Sequence, residues 1–373
     1  MQQSIRIVKI FTLFMSLGSI MALCQVQTDN LYINEVQHAA FQRQMKADMQ
    51  QPFSRLSGNR DTLTLPFFDD FARTDVTWKP FRSGTTADLK SVHMINNRTG
   101  FAIGNSGTLL RTDNRGRSWE RVYIGIEADL HKIQFIDPLV GFIVGGNATF
   151  LKTTDGGLNW QSSNVPDADD LYAVRFINAN RGFVAGGAGL IFTTINGGQS
   201  WTAISNTRRA NINAIREFNS NVLYLAGDSG VILRYDLVNG VLDAPGNGIN
   251  PRADINDMDA TNDGRIIAVG SRGSILINFM GDNQWFSADP NRRDSVSVFR
   301  GIRFFGSADA WIVGDSGTVL TSANRGWSWE RISYPARFTL NGISLFTADK
   351  GIIVGNTGLI LSSSKDNSRP FSR

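Results

Sequence analysis

A stretch of about twenty residues recurs along the chain and limits the possible folds more than any other feature. GFAIGNSGTLLRTDNRGRSW ends at Trp119, and copies of it end at residues 160 and 201, a step of 41 residues. Weaker copies follow. The glycine that opens the internal Gly-x-x-Gly motif, Gly-x-x-Ala in the second copy, falls at Gly104, Gly145, Gly186, Gly227, Gly270, Gly314 and Gly355. Seven copies at a nearly constant step indicate a repeat protein in which each copy is one structural unit.

Each copy contains the pattern of four short β-strands. Residues 101–103 have the pattern of a strand, Asn105-Ser106 between two glycines predicts a two-residue hairpin turn, and residues 109–111 are the returning strand. In each copy an alternating run precedes the hairpin, residues 170–176 in the third copy, and in most copies a strand led by tryptophan follows it. Four strands in about 41 residues form one propeller blade. The sequence therefore predicts an all-β, seven-bladed β-propeller over residues 76–366.

The positions of the tryptophans predict how the ring closes. A tryptophan lies fifteen residues after the first glycine in five copies, Leu242 takes this place in the fourth copy, and the seventh copy has no such strand. Trp78 lies 41 residues before Trp119 and has no hairpin of its own. We expect the strand around Trp78 to complete the last blade, which would remove an open sheet edge.

The turn before the tryptophan strand resembles the Asp-box, or bacterial neuraminidase repeat. It reads TDNRGRSW, TTDGGLNW, TINGGQSW and SANRGWSW in four copies. The side-chain oxygens of such a motif hold the backbone of a sharp turn, and the tryptophan covers that turn. We interpret its residues as structural: Asn114, Trp119, Asp155, Trp160, Asn196, Trp201, Asn324 and Trp329.

The full repeat is similar to that of the photosystem II stability/assembly factor family of seven-bladed propellers, and the similarity spans about residues 76 to 364. The resemblance implies a protein-binding role without catalysis or a cofactor, and it does not imply photosynthesis. Members of this family are thought to bind their partner through an arginine-rich face.

Alignment of the innermost strands brings a polar residue to one equivalent position in every copy: His93, Gln134, Arg175, Arg216, Asp259, Arg303 and Ser344. If this position faces the central channel, three arginines surround one opening and could bind a carboxylate terminus or an acidic loop of a partner. The alternative is that polar residues line a water-filled channel, with some arginines paired to neighbouring acids. Both interpretations stay open at this stage.

A sialidase-like glycoside hydrolase, or a carbohydrate-binding surface protein, is the alternative function. Sialidases also carry Asp-boxes, but the Arg-Ile-Pro signature expected before them is missing from this sequence, and sialidase propellers have six blades. The histidines His38, His93 and His131 lack the paired spacing of a metal site. We therefore expect no catalytic residues, no metal and no cofactor.

The first 24 residues have the composition of a cleaved signal peptide, with a basic start, an apolar run and Ala22-Leu23-Cys24 at its end. Export to the periplasm, the cell surface or the medium is expected, and a lipoprotein anchored through Cys24 is a minor alternative. Residues 25–75 form an extension with a possible short helix, and residues 367–373 form a tail. The net charge of +4 on 373 residues does not suggest nucleic-acid binding. We expect a monomer without a membrane span.

Overall fold

The seven sequence repeats fold into seven antiparallel sheets of four strands each. This computed structural model describes residues 76–365 except 244–252, 262, 280, 282–283, 289–296, 333–337 and 349. The expected signal peptide with Cys24, the extension and the tail lie outside the described residues. The predicted all-β, seven-bladed propeller is confirmed.

The strands are numbered in chain order and are described here from the channel outward. The innermost strands are β2 (Leu89–Met94), β6 (Leu130–Phe135), β10 (Leu171–Phe176), β14 (Ile212–Glu217), β18 (Ile255–Thr261), β22 (Phe299–Phe305) and β26 (Leu340–Thr347). The second strands are β3 (Gly100–Gly104), β7 (Gly141–Gly145), β11 (Gly182–Gly186), β15 (Val222–Gly227), β19 (Arg265–Gly270), β23 (Asp309–Gly314) and β27 (Lys350–Gly355).

The outer half of each blade is shorter and more exposed. The third strands are β4 (Thr108–Thr112), β8 (Thr149–Thr153), β12 (Ile191–Thr194), β16 (Ile232–Asp236), β20 (Ile275–Asn278), β24 (Val319–Ser322) and β28 (Ile360–Lys365). The outermost strands are β5 (Glu120–Arg121), β9 (Gln161–Asn164), β13 (Thr202–Ala203), β17 (Leu242–Asp243), β21 (Phe286–Ser287), β25 (Glu330–Ile332) and β1 (Val76–Phe81). Because most outermost strands are very short, they offer little edge for unwanted pairing.

The last blade takes strands from both ends of the propeller. Its order is β1-β28-β27-β26, with Trp78 opposite Ser363. The prediction that the strand around Trp78 completes this blade is confirmed. The pairing of β1 with β28 covers an edge of β28 that would otherwise be open, and it joins the two ends of the ring.

The hydrophobic core lies between neighbouring blades. The described residues form seven apolar clusters, and each cluster joins side chains of two adjacent blades. Tryptophans directly before the outermost strands pack into these clusters: Trp201 lies edge-on to Phe150 of the preceding blade, with ring centroids 5.2 Å apart. The fourth blade has Leu242 instead, and Tyr235 packs edge-on to Phe183 there.

The Asp-boxes form turns held by their own side chains. In the first blade, Gly116 N donates to Thr112 Oγ1 at 3.0 Å and Ser118 N donates to Asn114 Oδ1 at 2.9 Å. The same bonds recur around Asn196 and Asn324, and Asp155 accepts two backbone amides in the second blade. Hydrogen bonds from Asn159, first from its backbone and then from its side chain, lower the pKa of Asp155 to about 2.

The predicted hairpin turn is shifted by one residue. Its central residues are Ser106 and Gly107, with φ of 53° and 59°, and Thr108 N closes the turn on Asn105 O at 3.1 Å. The first glycine has a different role: a Cβ on Gly104 would lie 2.1 Å from Asp88 O, because the backbone entering the innermost strand packs against it.

An acidic or amide residue just before the innermost strand connects neighbouring blades. Asp129 Oδ1 accepts a hydrogen bond at 2.9 Å from Ser106 N, in the hairpin turn of the preceding blade. Asp88 does the same with Thr357 N and so links the last blade to the first. Asp170, Asn211 and Asp254 make the equivalent bonds.

The two faces of the ring carry different loops. We call the face with the Gly-x-x-Gly hairpins the turn face and the opposite face, with the Asp-boxes, the box face. The loops that follow the innermost strands also lie on the box face, because Arg115 N of a box donates to Arg98 O of such a loop at 2.9 Å. Among the described residues no helix has the length and apolarity to cross a membrane.

Candidate binding site in the central channel

The seven polar residues predicted to share one position do share it: each is the fifth residue of its innermost strand, as Arg175 is in β10 and Arg216 is in β14. Neighbouring innermost strands pack against one another around the ring. Since the loops of the box face begin directly after these strands, the seven residues lie near the box-face end of the channel. We call these residues the collar.

All three collar arginines form ion pairs. Arg216 Nη2 lies 2.5 Å from Asp259 Oδ1, and Arg303 Nη1 lies 2.7 Å from Asp257 Oδ2. Arg175 Nε pairs with Glu217 Oε2 of the next blade. Burial, followed by the charge of Arg216, lowers the pKa of Arg175 to about 10, so that its guanidinium stays charged at neutral pH. The collar is therefore a set of paired charges rather than a ring of free cations.

A further ion pair crosses the channel. Lys132 of the second blade places Nζ 2.8 Å from Asp257 Oδ1 of the fifth blade, and Asp257 also pairs with Arg303. Burial alone would raise the pKa of Asp257, but Arg303 and Lys132 outweigh it and lower that pKa to about 2. Burial lowers the pKa of Lys132 although Asp257 opposes this. This triad ties opposite sides of the ring together.

The uncharged collar residues connect adjacent blades. Gln134 donates to Phe176 O at 2.9 Å and accepts from Phe176 N at 2.7 Å. Ser344 accepts a hydrogen bond from Met94 N across the junction of the last and first blades. His93 lies against the ring of Phe135, and burial together with the positive collar arginines lowers its pKa to about 3. His93 is thus neutral at physiological pH.

The positive groups of the collar are closer to solvent than the negative groups. The side chains of Arg175, Arg216 and Arg303 are 23%, 26% and 25% exposed, whereas Asp257 and Asp259 are 5% and 3% exposed. Four cations, counting Lys132, are set against three acids, counting Glu217. In each of these pairs the cationic side chain is therefore the more exposed partner.

Sequence reasoning identified the collar but missed three of its ion-pair partners. Lys132 and Asp257 are two residues before a collar position, and the period of two in a strand could have placed them on the same face. Glu217 directly follows a collar residue, and no sequence rule brings it to Arg175 of the neighbouring blade. No described group of histidine, cysteine, aspartate and glutamate side chains could hold a metal ion.

Solved structures with the same fold include binding proteins and enzymes. YCF48 bound to a D1 peptide is similar with a TM-score of 0.65 and 20% identity, covering 78% of this chain and 95% of that chain. YCF48 from Cyanidioschyzon merolae has a TM-score of 0.64 and 16% identity, covering 78% and 99%. A streptogramin B lyase has a TM-score of 0.66 and 10% identity, covering 78% and 97%. At such identities the likeness shows the fold alone.

The sequence itself assigns the family. No curated protein matches this chain. The family model described as photosynthesis system II assembly factor YCF48 matches residues 112–299, which is half of the chain. This match begins at the Asp-box of the first blade and covers blades two to five, with the Asp-boxes of the first three blades and the collar residues Gln134, Arg175, Arg216 and Asp259. The chain belongs to the photosynthesis system II assembly factor YCF48 family.

Proposed function

We propose that this protein is an exported, non-catalytic assembly factor that binds an acidic segment of a partner protein at the collar. The observation that carries this proposal is the order of charges in the channel. The side chains of Arg216 and Arg303 are about a quarter exposed, at 26% and 25%, whereas the side chains of their partners Asp259 and Asp257 are 3% and 5% exposed. An approaching carboxylate would therefore meet hydrogen-bond donors before it meets acids.

The arginines have donors to spare for such a ligand. A guanidinium carries five N–H groups in a fixed plane, and an ion pair with one carboxylate uses only some of them. Arg175 pairs through Nε and Arg216 through Nη2. A partner carboxylate would add to these pairs instead of displacing them, so that no buried acid loses its counter-ion. The peptide held by the similar YCF48 structure supports a protein partner for this chain too.

The positions of the acids favour binding over catalysis. A glycoside hydrolase needs two carboxyl groups that flank the scissile bond, or a tyrosine nucleophile in the case of sialidases. Glu217, Asp257 and Asp259 of the channel are each ion-paired to an arginine. Glu120 and Glu330 lie exposed on outermost strands, away from the channel. This arrangement argues against the sialidase alternative.

The affinity test uses the pair Arg175 and Glu217, whose acid is the most exposed of the three at 17%. The double variant R175Q/E217Q removes one solvent-facing cation without leaving a buried charge unpaired. The matched control is R111Q/D113N, a pair joined at 3.0 Å on the outer part of the first blade. The probe is a synthetic peptide with an acidic carboxyl end, compared with the same peptide in which glutamines and a terminal amide replace the acids.

We expect R175Q/E217Q to weaken binding of the acidic probe about tenfold or more, since a charged hydrogen bond contributes about 1.5–3 kcal/mol. The control should bind as the wild type does, and the amidated probe should bind weakly to all three proteins. Equal affinity of the collar variant and the wild type for the acidic probe would contradict the proposed site.

Export is tested separately by sequencing the amino terminus of the protein recovered from cells: a start at residue 25 is expected, and a start at residue 1 would contradict cleavage.

A further inference from the structure

Exposed aliphatic side chains gather on one sector of the box face. They lie in the loops of the second, third and fourth blades, and we call them the apolar patch. Its members are Leu139 (58% exposed), Leu158 (65%), Ile177 (37%), Ile195 (79%) and Val238 (70%). These five are the majority of the nine large apolar side chains that are exposed in the described part of the chain.

Hydrogen bonds between the loops hold these side chains in one region. Gly156 N, two residues before Leu158 in the second box, donates to Leu139 O at 2.9 Å. Arg181 Nη2, in the loop that begins at Ile177, donates at 2.7 Å to Leu237 O, next to Val238. The patch therefore spans three blades on a backbone that is fixed by hydrogen bonds.

The charged side chains within this sector are engaged with the backbone. The Asp137 carboxylate accepts hydrogen bonds from Leu139 N and Val140 N, both at 2.8 Å. Asp155 and Asp236 hold the backbone amides of their own turns in the same way. Lys152 Nζ donates to Gly197 O at 3.1 Å. The patch thus offers aliphatic groups with little free charge, which suits an uncharged aliphatic segment and not a charged one.

The repeat itself does not require these apolar residues. In the first blade, Asp113 occupies the box position that Ile195 has in the third, and Arg117 occupies the position of Leu158. Asp113 and Arg117 are exposed. Because charged residues serve equally well in the same turn, folding does not account for the aliphatic residues of this sector. Aliphatic groups gathered in one exposed region commonly mark an interaction surface.

The patch is continuous with the collar. Ile177 is the second residue after Arg175, at the point where β10 leaves the channel for the box face. We propose that the apolar patch binds an uncharged aliphatic stretch of the same partner polypeptide whose acidic group lies at the collar. This inference rests on the proposed function. It adds that the partner carries an aliphatic stretch next to its acidic end and lies across blades two to four.

The test uses the full chain and three synthetic peptides measured by fluorescence anisotropy. The combined probe has an aliphatic stretch and an acidic carboxyl end. The acidic probe has serines in place of the aliphatic residues, and the aliphatic probe has glutamines and a terminal amide in place of the acids. The patch variant is L158N/I195N/V238N, which changes the three most exposed members. The matched control is Y123N, since Tyr123 is 85% exposed on the first blade outside the patch.

We expect the patch variant to bind the combined probe at least about tenfold more weakly than the wild type, while its affinity for the acidic probe stays unchanged. Y123N should match the wild type for all probes. Far-UV circular dichroism and urea unfolding show whether each variant keeps the fold. If the patch substitutions destabilise it, the charged variant L158R, which mimics the first blade, replaces the triple variant.

The outcomes separate this inference from the proposed function. If the combined and acidic probes bind the wild type equally, or the patch variant binds both as the wild type does, the inference is overturned while the collar proposal stands. If the aliphatic probe binds as tightly as the combined probe, the collar proposal fails together with the acidic end assigned to the partner, and only binding of an aliphatic stretch at the patch stands. Patch-dependent dimerisation in sedimentation velocity, or patch-dependent cosedimentation with phosphatidylcholine vesicles, would also overturn the inference, because a second copy or a lipid surface would then be the occupant.

Discussion

Removal of the Trp78 indole should weaken the whole propeller, because this side chain lies where the two ends of the ring meet. Trp78 is 8% exposed in β1 and packs edge-on to Trp311, with ring centroids 5.5 Å apart and an interplanar angle of 81°. It belongs to the apolar cluster between the sixth and seventh blades, with Val313 and Leu361. W78A would leave a cavity between the sixth and seventh blades, beside the strand that closes the ring.

The expected loss of unfolding free energy is about 3–5 kcal/mol, the usual range for tryptophan to alanine in a core. About 0.5–1.5 kcal/mol of this would come from the edge-on pair with Trp311. Since folded proteins are stable by only about 5–15 kcal/mol, the loss is a large fraction of the total.

Urea unfolding followed by far-UV circular dichroism measures this loss without depending on tryptophan emission. The control is Y123A, which removes an aromatic ring that is 85% exposed and should change stability by less than about 0.5 kcal/mol. If W78A and Y123A have the same unfolding free energy within that margin, the indole does not stabilise the closure and the reasoning is refuted.

Three further substitutions test the collar and the repeat. His93 has a folded pKa of about 3 against 6.5 when unfolded, so the unfolded chain alone takes up this proton and stability falls as pH drops through that window. H93Q should therefore lose about 2 kcal/mol less than the wild type between pH 6.5 and 4.5, as measured by urea unfolding, and a parallel pH profile would contradict this. D257N should cost about 3–5 kcal/mol at pH 7 because it removes a buried acid that is paired to two cations, and a change near zero in the same assay would argue against the triad. G186A should cost at least about 2 kcal/mol by thermal unfolding because the new Cβ would lie 1.9 Å from Asp170 O, and a wild-type melting temperature would exclude this close packing.

The fold could be predicted from the sequence because the repeat period gives both the number of blades and the strand that closes the ring. Each repeat has the same hydrophobic pattern and the same turn. The spacing from the first glycine to the tryptophan therefore identifies the outermost strand of each blade. The unmatched Trp78 then had one vacant place in the ring, opposite Ser363 in β28. Counting residues cannot show the packing of Tyr235 where the fourth blade lacks its tryptophan, since that contact is made with Phe183 of another blade.

The hairpin turn of each blade lies one residue later than the sequence predicts, and the reason is physical. The two glycines predict Asn105 and Ser106 as the central residues of the first turn. The left-handed residues are Ser106 and Gly107, because Gly104 stays extended to let the backbone at Asp88 pass close to it. A glycine required for close approach looks the same in a sequence as a glycine required for positive φ.

The candidate site was only partly accessible to sequence reasoning. Equivalent positions in equivalent strands face the same way, which brought Arg175, Arg216 and Arg303 together. Whether these arginines are ion-paired depends on acids in other blades. Glu217 and Asp257 occupy different strand positions from the arginines they pair with. The sequence therefore located the positive residues but could not show that each is paired.

Photo-cross-linking tests the central claim, binding of an acidic segment at the collar, most directly. The acidic probe would carry a benzophenone beside its carboxyl end, and mass spectrometry would identify the residues it labels in the full chain. We expect labels near the box-face ends of β10, β14 and β22, and we expect excess unlabelled acidic probe, but not the amidated probe, to suppress them. Labels confined to the hairpins of the turn face or to the outermost strands would contradict a collar site.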